Sequence, residues 1–448
     1  MNEWKLVRNP DYLTYDIFLD FLMVVLLVSG YAEHLGAWRK LCVLAFAAVA
    51  ILYIPVIRDA LSGSRGLMVT GLSLLLLLSL CTISSISDVN TSNNMKGLIY
   101  AFCPSTAYTI LTADGLTRIR QYLIKRLPLL NIVYVFNLYV LSRQIQGTGF
   151  MIKASWLAQN GYYKDQCSGI FGFNSTHACG LFSIFMLLLN LTYLSECKGR
   201  TKRLLFGAYT LLTEAVMIYC AAFSDNMALY VLTPFFVILY FYLTRKELGV
   251  FSFIRAHIKA IVISILICAA ALYMLLSMPA VREFADKVYL RLYRVIFFNE
   301  IGVQGSNERL AILADALSMP FGWKLGYGIG EESWRGQYIL GYHHFGISSI
   351  GSTVYLCGIW TFIILTAFVV YMSVYPLARE SRFGAYMRKA FFVTALSLIM
   401  MTVYTTIYID IRKMLLFLLI MTAMQIRIDD TCPKTDASLN AASGTVNT

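Results

Sequence analysis

One stretch of the chain concentrates residues that could do chemistry. Between Pro279 and about Ser348 it carries seven basic and seven acidic residues, and two of the five histidines, His343 and His344. An imidazole can act as a general base near neutral pH, although a histidine at a membrane boundary can also be a plain interfacial residue. A connection of this length in a compact protein is usually functional.

Three cations in the first part of this stretch share one face of an expected helix. The sequence Val281–Phe298 has the periodicity of an amphipathic helix, with Lys287, Arg291 and Arg294 recurring at helical spacing. Such a helix can lie at a membrane surface and present its cations to phosphate groups. A surface helix that contacts only anionic lipid has the same pattern, so the sequence leaves both interpretations open.

Arg309 lies at the start of a second expected helix. Ser306 is a suitable N-cap, and Arg309 falls in the first turn before a run of leucine and alanine. A cation is unfavourable there unless an anion is close, whereas a helix N-terminus with an arginine suits a phosphate group. Pairing of Arg309 with an acid of the same stretch is the alternative. Glycines that would let a ligand approach the backbone follow at Gly326, Gly328 and Gly330.

The elements that must position these residues are membrane helices. Of 448 residues, 58% are hydrophobic and only 14% are charged, whereas soluble domains carry about a quarter charged residues. Apolar segments of spanning length predict an all-α fold with about twelve transmembrane helices. They form one polytopic domain over residues 1–428, followed by a disordered cytoplasmic tail over 429–448. The spans are expected near 14–31, 41–57, 67–86, 98–113, 129–146, 170–194, 204–222, 227–243, 260–278, 349–373, 390–408 and 411–427.

Four basic connections predict the orientation. Each carries four Lys or Arg residues and one acid, so their excess charge equals the net charge of +12 of the whole chain. Such connections remain in the cytoplasm, which puts both termini inside and residues 279–348 outside. The charge is therefore a topology signal and does not indicate nucleic-acid binding. The basic connections are 114–126, 196–203, 244–259 and 375–389.

Other polar and thiol groups suit structural roles. Asp16 and Asp20 lie one turn apart in the first expected span and mark either an ion path or, as we favour, a polar helix end. Most cysteines lie in apolar runs and are expected to be small apolar helix residues. Cys167 and Cys179, near the outer face, leave a disulfide open.

The order of four sequence patches resembles the bacterial O-antigen ligase and polymerase superfamily. The first is similar to the family's glycine–phenylalanine–asparagine turn that opens a middle helix, and it contains Asn174 and His177. The others are similar to a serine turn between two helices, a helix that begins with serine and arginine, and a glycine-rich turn followed by a histidine. The patches lie at 169–180, 223–229, 305–317 and 326–359.

This resemblance implies a glycan transfer that needs no metal and no cofactor. Members act at the outer face of the bacterial inner membrane, where an acceptor hydroxyl attacks the anomeric carbon and the undecaprenyl diphosphate leaves. His344 would be the base, with His343 as second choice, and Arg309 would stabilise the leaving diphosphate. The implied substrate-binding residues are Lys287, Arg291, Arg294, Arg335, His343, Gly326, Gly328, Gly330, Asn174 and His177.

Three functions remain open from the sequence. A polymerase that joins lipid-linked repeat units into O antigen, capsule or exopolysaccharide leads, because Phe345 follows His344 where ligases typically have asparagine. A ligase that transfers glycan to lipid A-core is the second. A flippase or other transporter would show charges inside spans and repeated halves. Expected partners are undecaprenyl-diphosphate-linked oligosaccharide, membrane lipids, and a chain-length regulator and flippase of the same pathway, without nucleic acid.

Overall fold

The fold of the chain is given by a computed structural model. Its described part is almost entirely helical and contains no β-strand, which confirms the all-α class for those residues. The structure describes residues 116–152, 157–158, 161–162, 167–172, 176–197 and 199–224, and also 20, 23–24, 27, 229, 232–233, 236–237, 286, 289–290, 293, 354, 358–360, 362–363, 413, 416–417 and 419–420.

Helix α1 spans Leu116–Ile145 and is longer than the sequence predicts. The expected cytoplasmic loop over 114–126 is helical from Leu116 onward, so the loop prediction is wrong there. Charged residues exclude this part from the apolar core of a membrane. They do not end a helix, because arginine, lysine and leucine are all good helix formers. The helix also continues through Pro128.

Two elements replace the single span expected over 170–194. A 3-10 helix, η1, covers Gly169–Phe171, and helix α2 covers Thr176–Glu196. A short buried turn therefore precedes α2, in the region where the sequence predicts a turn that opens a middle helix.

Helix α3 spans Arg200–Phe223 and follows α2 after a connection of three residues. Its first turn contains three exposed cations, Arg200, Lys202 and Arg203, that the sequence places in a basic loop. Arg203 donates from its guanidinium to the carbonyl oxygen of Cys197 at 3.1 Å, which ties the start of α3 to the end of α2. A cation there is favourable, because the carbonyl end of a helix is negative.

The three helices run in alternating directions. Tyr134 on α1 contacts Ser183 on α2, and Asn131 contacts Asn190, so α2 is antiparallel to α1. Asn131 also contacts Tyr209 on α3 and Tyr134 contacts Glu214, so α3 runs parallel to α1. All three are long and apolar enough to cross a membrane. The predicted cytoplasmic positions of the basic connections require this alternation of helix direction.

Burial separates a central helix from two outer ones. In the best membrane-spanning window, 83% of α2 is buried, compared with 39% of α1 and 33% of α3. The exposed sides of α1 and α3 carry apolar side chains such as Ile132 and Leu211, as expected for surfaces that face lipid. The aromatic rings of Phe171, Phe182 and Tyr134 pack edge to face in the interior, 5.5 and 5.7 Å apart.

Single described positions occur in several other expected elements. Those in the spans expected over 14–31, 227–243, 349–373 and 411–427 are all helical. Four positions in the amphipathic helix expected over 281–298 are helical as well. The remaining expected spans lie outside the described residues, and so does the tail over 429–448.

Candidate functional site

Of the predicted site residues, His177 is the one that lies within the described part of the chain. It occupies the first turn of α2 and is half-buried. On the predicted orientation this end of the bundle faces outward, on the same side as residues 279–348. The predicted residues outside the described part are Asn174, Lys287, Arg291, Arg294, Arg309, Gly326, Gly328, Gly330, Arg335, His343 and His344.

The turn before His177 is held by two side chains of α1. Gln144 accepts from the backbone N–H of Gly169 at 2.9 Å and donates to the carbonyl oxygens of Gly169 and Phe150 at 3.1 Å each. Asn137 accepts from the backbone N–H of Ile170 at 3.0 Å. These bonds satisfy the polar backbone groups of η1, which would otherwise be costly inside the protein. We call Asn137, Gln144 and Gly169–Phe171 the outer clamp.

Gly169 can have no side chain in this clamp. Its φ is +62°, a conformation that other residues rarely adopt. A Cβ atom there would lie 2.2 Å from the side-chain oxygen of Asn137 and 3.1 Å from its carbonyl oxygen. The close contact of backbone and amide therefore requires glycine at this position.

The segment after α1 folds back onto the helix end. The Tyr162 hydroxyl donates to the carbonyl oxygen of Gln144 and lies 3.5 Å from the thiol of Cys167. Burial and the contact with Cys167 raise the pKa of the Tyr162 phenol above its ordinary value, which is already well above neutral pH. Thr148 also donates, to the carbonyl oxygen of Arg143 at 2.6 Å. The C-terminal end of α1 is thus capped by the residues that follow it.

A second polar group lies farther inside the bundle. The hydroxyl of Tyr134 donates to Glu214 Oε1 at 3.1 Å and lies 2.9 Å from the hydroxyl of Ser183. Ser183 lies 3.4 Å from Glu214 Oε2. Each helix contributes one member, and we call this group the Tyr134–Ser183–Glu214 ring.

A third polar group joins the three helices at a level nearer the N-terminal end of α1 than the ring. Asn131 and Asn190 exchange two amide hydrogen bonds of 3.0 Å, and both side chains are buried. The hydroxyl of Tyr209 donates to Asn131 Oδ1 at 3.0 Å. Hydrogen bonds between apolar helices are a main source of their association in a membrane, because the hydrophobic effect does not drive it there.

Asp20 makes a structural ion pair. Its carboxylate accepts from the Arg126 guanidinium through both oxygens, one bond being 2.9 Å long, and from the Tyr122 hydroxyl at 2.7 Å. Both charged side chains are partly exposed. The pairing supports a polar helix end over an ion path, because Arg126 belongs to a connection predicted to be cytoplasmic.

The cysteines in the described part of the chain are buried, and their thiols are not oxidised to disulfides. Cys167 and Cys179 form no disulfide, so the bridge that the sequence left open is absent. Cys179 instead accepts a weak hydrogen bond from Asn137 at 3.5 Å. This agrees with the expectation that cysteines here are small packing residues.

Sequence reasoning missed the polar side chains that join the helices. Asn131, Tyr134, Asn137 and Gln144 recur along the buried side of α1, inside an otherwise apolar segment. Polar residues in a predicted span tend to face the protein interior, and that signal could have identified them. Tyr289 and Tyr293 were also missed. Both positions are helical, and their exposed rings stack with centres 5.7 Å apart.

The three polar groups hold a turn and three helices in fixed positions. The outer clamp fixes the turn that leads to His177, and the two inner groups fix the three helices relative to each other. No protein-family model matches the chain, and no curated protein matches it in sequence.

Proposed function

We propose that this protein is a polymerase that joins undecaprenyl-diphosphate-linked oligosaccharide repeat units on the outer face of the bacterial inner membrane. The observation that carries the proposal is the concentration, in one predicted outer stretch, of three cations at helical spacing, an arginine in the first turn of a predicted helix, and two histidines. A lipid diphosphate that leaves requires cations, and an attacking sugar hydroxyl requires a base.

The end of the three-helix bundle that contains the outer clamp and His177 supports the proposal. The outer clamp holds a turn in the region where the resemblance predicts one, and His177 follows within the first turn of α2. The predicted orientation puts this end on the same side of the membrane as the stretch that carries Arg309 and His344. Asn174 and His177 would then contact the glycan donor or acceptor.

The proposed reaction is a single displacement at the anomeric carbon. His344, or His343 in its place, takes the proton of the acceptor hydroxyl as that oxygen bonds to the anomeric carbon. The bond from that carbon to the diphosphate oxygen breaks, and the electron pair leaves with the diphosphate. Arg309 and the cations Lys287, Arg291 and Arg294 compensate the charge that develops.

Glycine-rich backbone and neighbouring side chains would position the substrate. Gly326, Gly328 and Gly330 would allow a sugar or phosphate to approach the main chain, and Arg335 would add a further cation. The exposed rings of Tyr289 and Tyr293 offer flat apolar faces of the kind that pack against sugar rings. These roles require no metal and no cofactor.

The test is an incubation of the purified protein with lipid-diphosphate-linked repeat unit and a chelator. Products are resolved by size. A ladder of lipid-linked oligomers supports the polymerase. Transfer only after addition of lipid A-core would make the protein a ligase, and no transfer under either condition would favour the flippase.

A further inference from the structure

The Tyr134–Ser183–Glu214 ring is enclosed within the protein. Tyr134, Ser183 and Glu214 are 0%, 1% and 6% exposed. Their oxygens make three mutual contacts, of 2.9, 3.1 and 3.4 Å, that close a triangle. Each corner comes from a different helix, so the triangle lies where α1, α2 and α3 meet.

The number of protons in the ring determines how many of its three contacts can be hydrogen bonds. Three contacts between oxygens require three protons to be hydrogen bonds, and the two hydroxyls supply only two. With Glu214 ionised, one contact has no proton. With Glu214 protonated, each hydroxyl donates once and accepts once, and the carboxyl does the same.

No cation in the described part of the chain compensates a charge on Glu214. The other titratable groups that interact with the ring are the thiol of Cys179 and the phenol of Tyr209, and the thiol of Cys220 interacts in turn with Cys179. No lysine, arginine or histidine among the described residues contacts the carboxyl. A buried carboxylate without a cation is strongly unfavourable, and a membrane adds to this penalty.

We propose that this ring is a proton-binding site, in which Glu214 holds a proton at neutral pH. The carboxyl O–H donates to Ser183, Ser183 donates to Tyr134, and Tyr134 donates to the second carboxyl oxygen. Loss of the proton leaves a negative charge between three helices and removes one hydrogen bond. Proton occupancy is therefore coupled to the packing of α1, α2 and α3. The inference stands independently of the proposed glycan transfer.

Infrared spectroscopy of the purified protein in lipid tests the proposal. The wild type minus Glu214→Gln difference at neutral pH should contain the carbonyl band of a protonated carboxylic acid, shifted in deuterium oxide. Glutamine can complete the same ring, because its amide N–H donates to Ser183 and its carbonyl accepts from Tyr134. The matched control is Asp20→Asn, whose difference should contain only carboxylate bands. Carboxylate bands alone in the Glu214→Gln difference would overturn the proposal.

A second variant covers the case in which Glu214→Gln does not fold. Ser183→Ala removes the acceptor of the carboxyl proton, so the protonated-acid band should remain and move to higher frequency. An unchanged band in Ser183→Ala would show that the protonated carboxyl lies elsewhere, and that result would also overturn the assignment.

Discussion

At the scale of single residues, the described structure depends on side chains that satisfy otherwise unpaired groups. The side-chain amides of Asn137 and Gln144 bind the backbone of η1, and the carboxylate of Asp20 pairs with the guanidinium of Arg126. A buried donor or acceptor that loses its partner costs about 1–3 kcal/mol. Each of these positions is therefore sensitive to the shape as well as to the polarity of the side chain.

Gly169→Ala should destabilise the outer clamp more than a comparable change elsewhere. The new Cβ would meet the side-chain oxygen of Asn137 at 2.2 Å in addition to the strain of positive φ. The matched control is Gly147→Ala, where φ is +81° and nothing lies within 4 Å of the added atom. We expect a loss of about 1 kcal/mol in the control from backbone strain. Gly169→Ala should lose roughly 1–3 kcal/mol more from overpacking.

Thermal unfolding of both variants in detergent gives the comparison. Equal loss of stability in the two would mean that the contact with Asn137 does not constrain Gly169. A measurement of polymer formation by the same samples shows whether the clamp matters for activity.

At the scale of elements, polar contacts set the register between helices. The Asn131–Asn190 pair fixes the height of α2 against α1, and Tyr209 adds α3 to the same level. Apolar side chains alone would allow neighbouring registers of similar energy, because lipid and leucine are equally apolar.

A double-mutant cycle of Asn131→Leu and Asn190→Leu measures this contact. Each single substitution leaves one buried amide without its partner, whereas the double substitution removes both amides. We therefore expect the double variant to be less destabilised than the sum of the singles, by about 0.6–1.7 kcal/mol, the range for such bonds in membranes. Additive losses would indicate that the two amides contribute independently.

The sequence predicted the existence of these elements better than their ends. Apolar runs placed spans near α1, α2 and α3, because residues that face lipid or a membrane protein's interior must be apolar. The start of α1 at Leu116 and the start of α3 at Arg200 were missed, since hydropathy detects the membrane and a helix can extend beyond it. The end of α3 at Phe223 was predicted closely.

Contacts between residues that are far apart along the chain could not be predicted from the sequence. Nothing in a single chain indicates that Tyr134 meets Ser183 and Glu214, which are separated from it by 49 and 80 positions. Of the predicted site, His177 alone can be placed, and its position at the start of α2 agrees with the predicted turn. The roles of Arg309 and His344 stay predictions.

At the scale of the whole molecule, charge and helix direction give one topology. Basic residues lie at the start of α1 and α3, and the three helices alternate in direction. Placing the basic ends inside predicts that the outer clamp, His177 and the stretch 279–348 lie on the opposite side of the membrane.

Cysteine labelling tests this topology with three positions. Thr148→Cys, beyond the end of α1, and Gly328→Cys should react with an impermeant thiol reagent from outside the cell. Lys202→Cys, in the first turn of α3, should react only after lysis. Thr148 and Lys202 are exposed, and the described native cysteines are buried. The unmodified protein gives the background, and the reverse labelling pattern would overturn the orientation.

The most direct test of the account is the product ladder formed by Arg309 variants. Purified wild type, Arg309→Ala, Arg309→Lys and Arg282→Ala are compared on the same lipid-linked repeat unit. Arg309→Ala should lose about 10²–10³-fold in rate, as when a donor that stabilises developing charge is removed. Arg309→Lys should recover part of that loss, and Arg282→Ala, a change in the same stretch, should retain the ladder. Equal ladders from wild type and Arg309→Ala, with both proteins folded, would contradict the claim that Arg309 stabilises the leaving diphosphate.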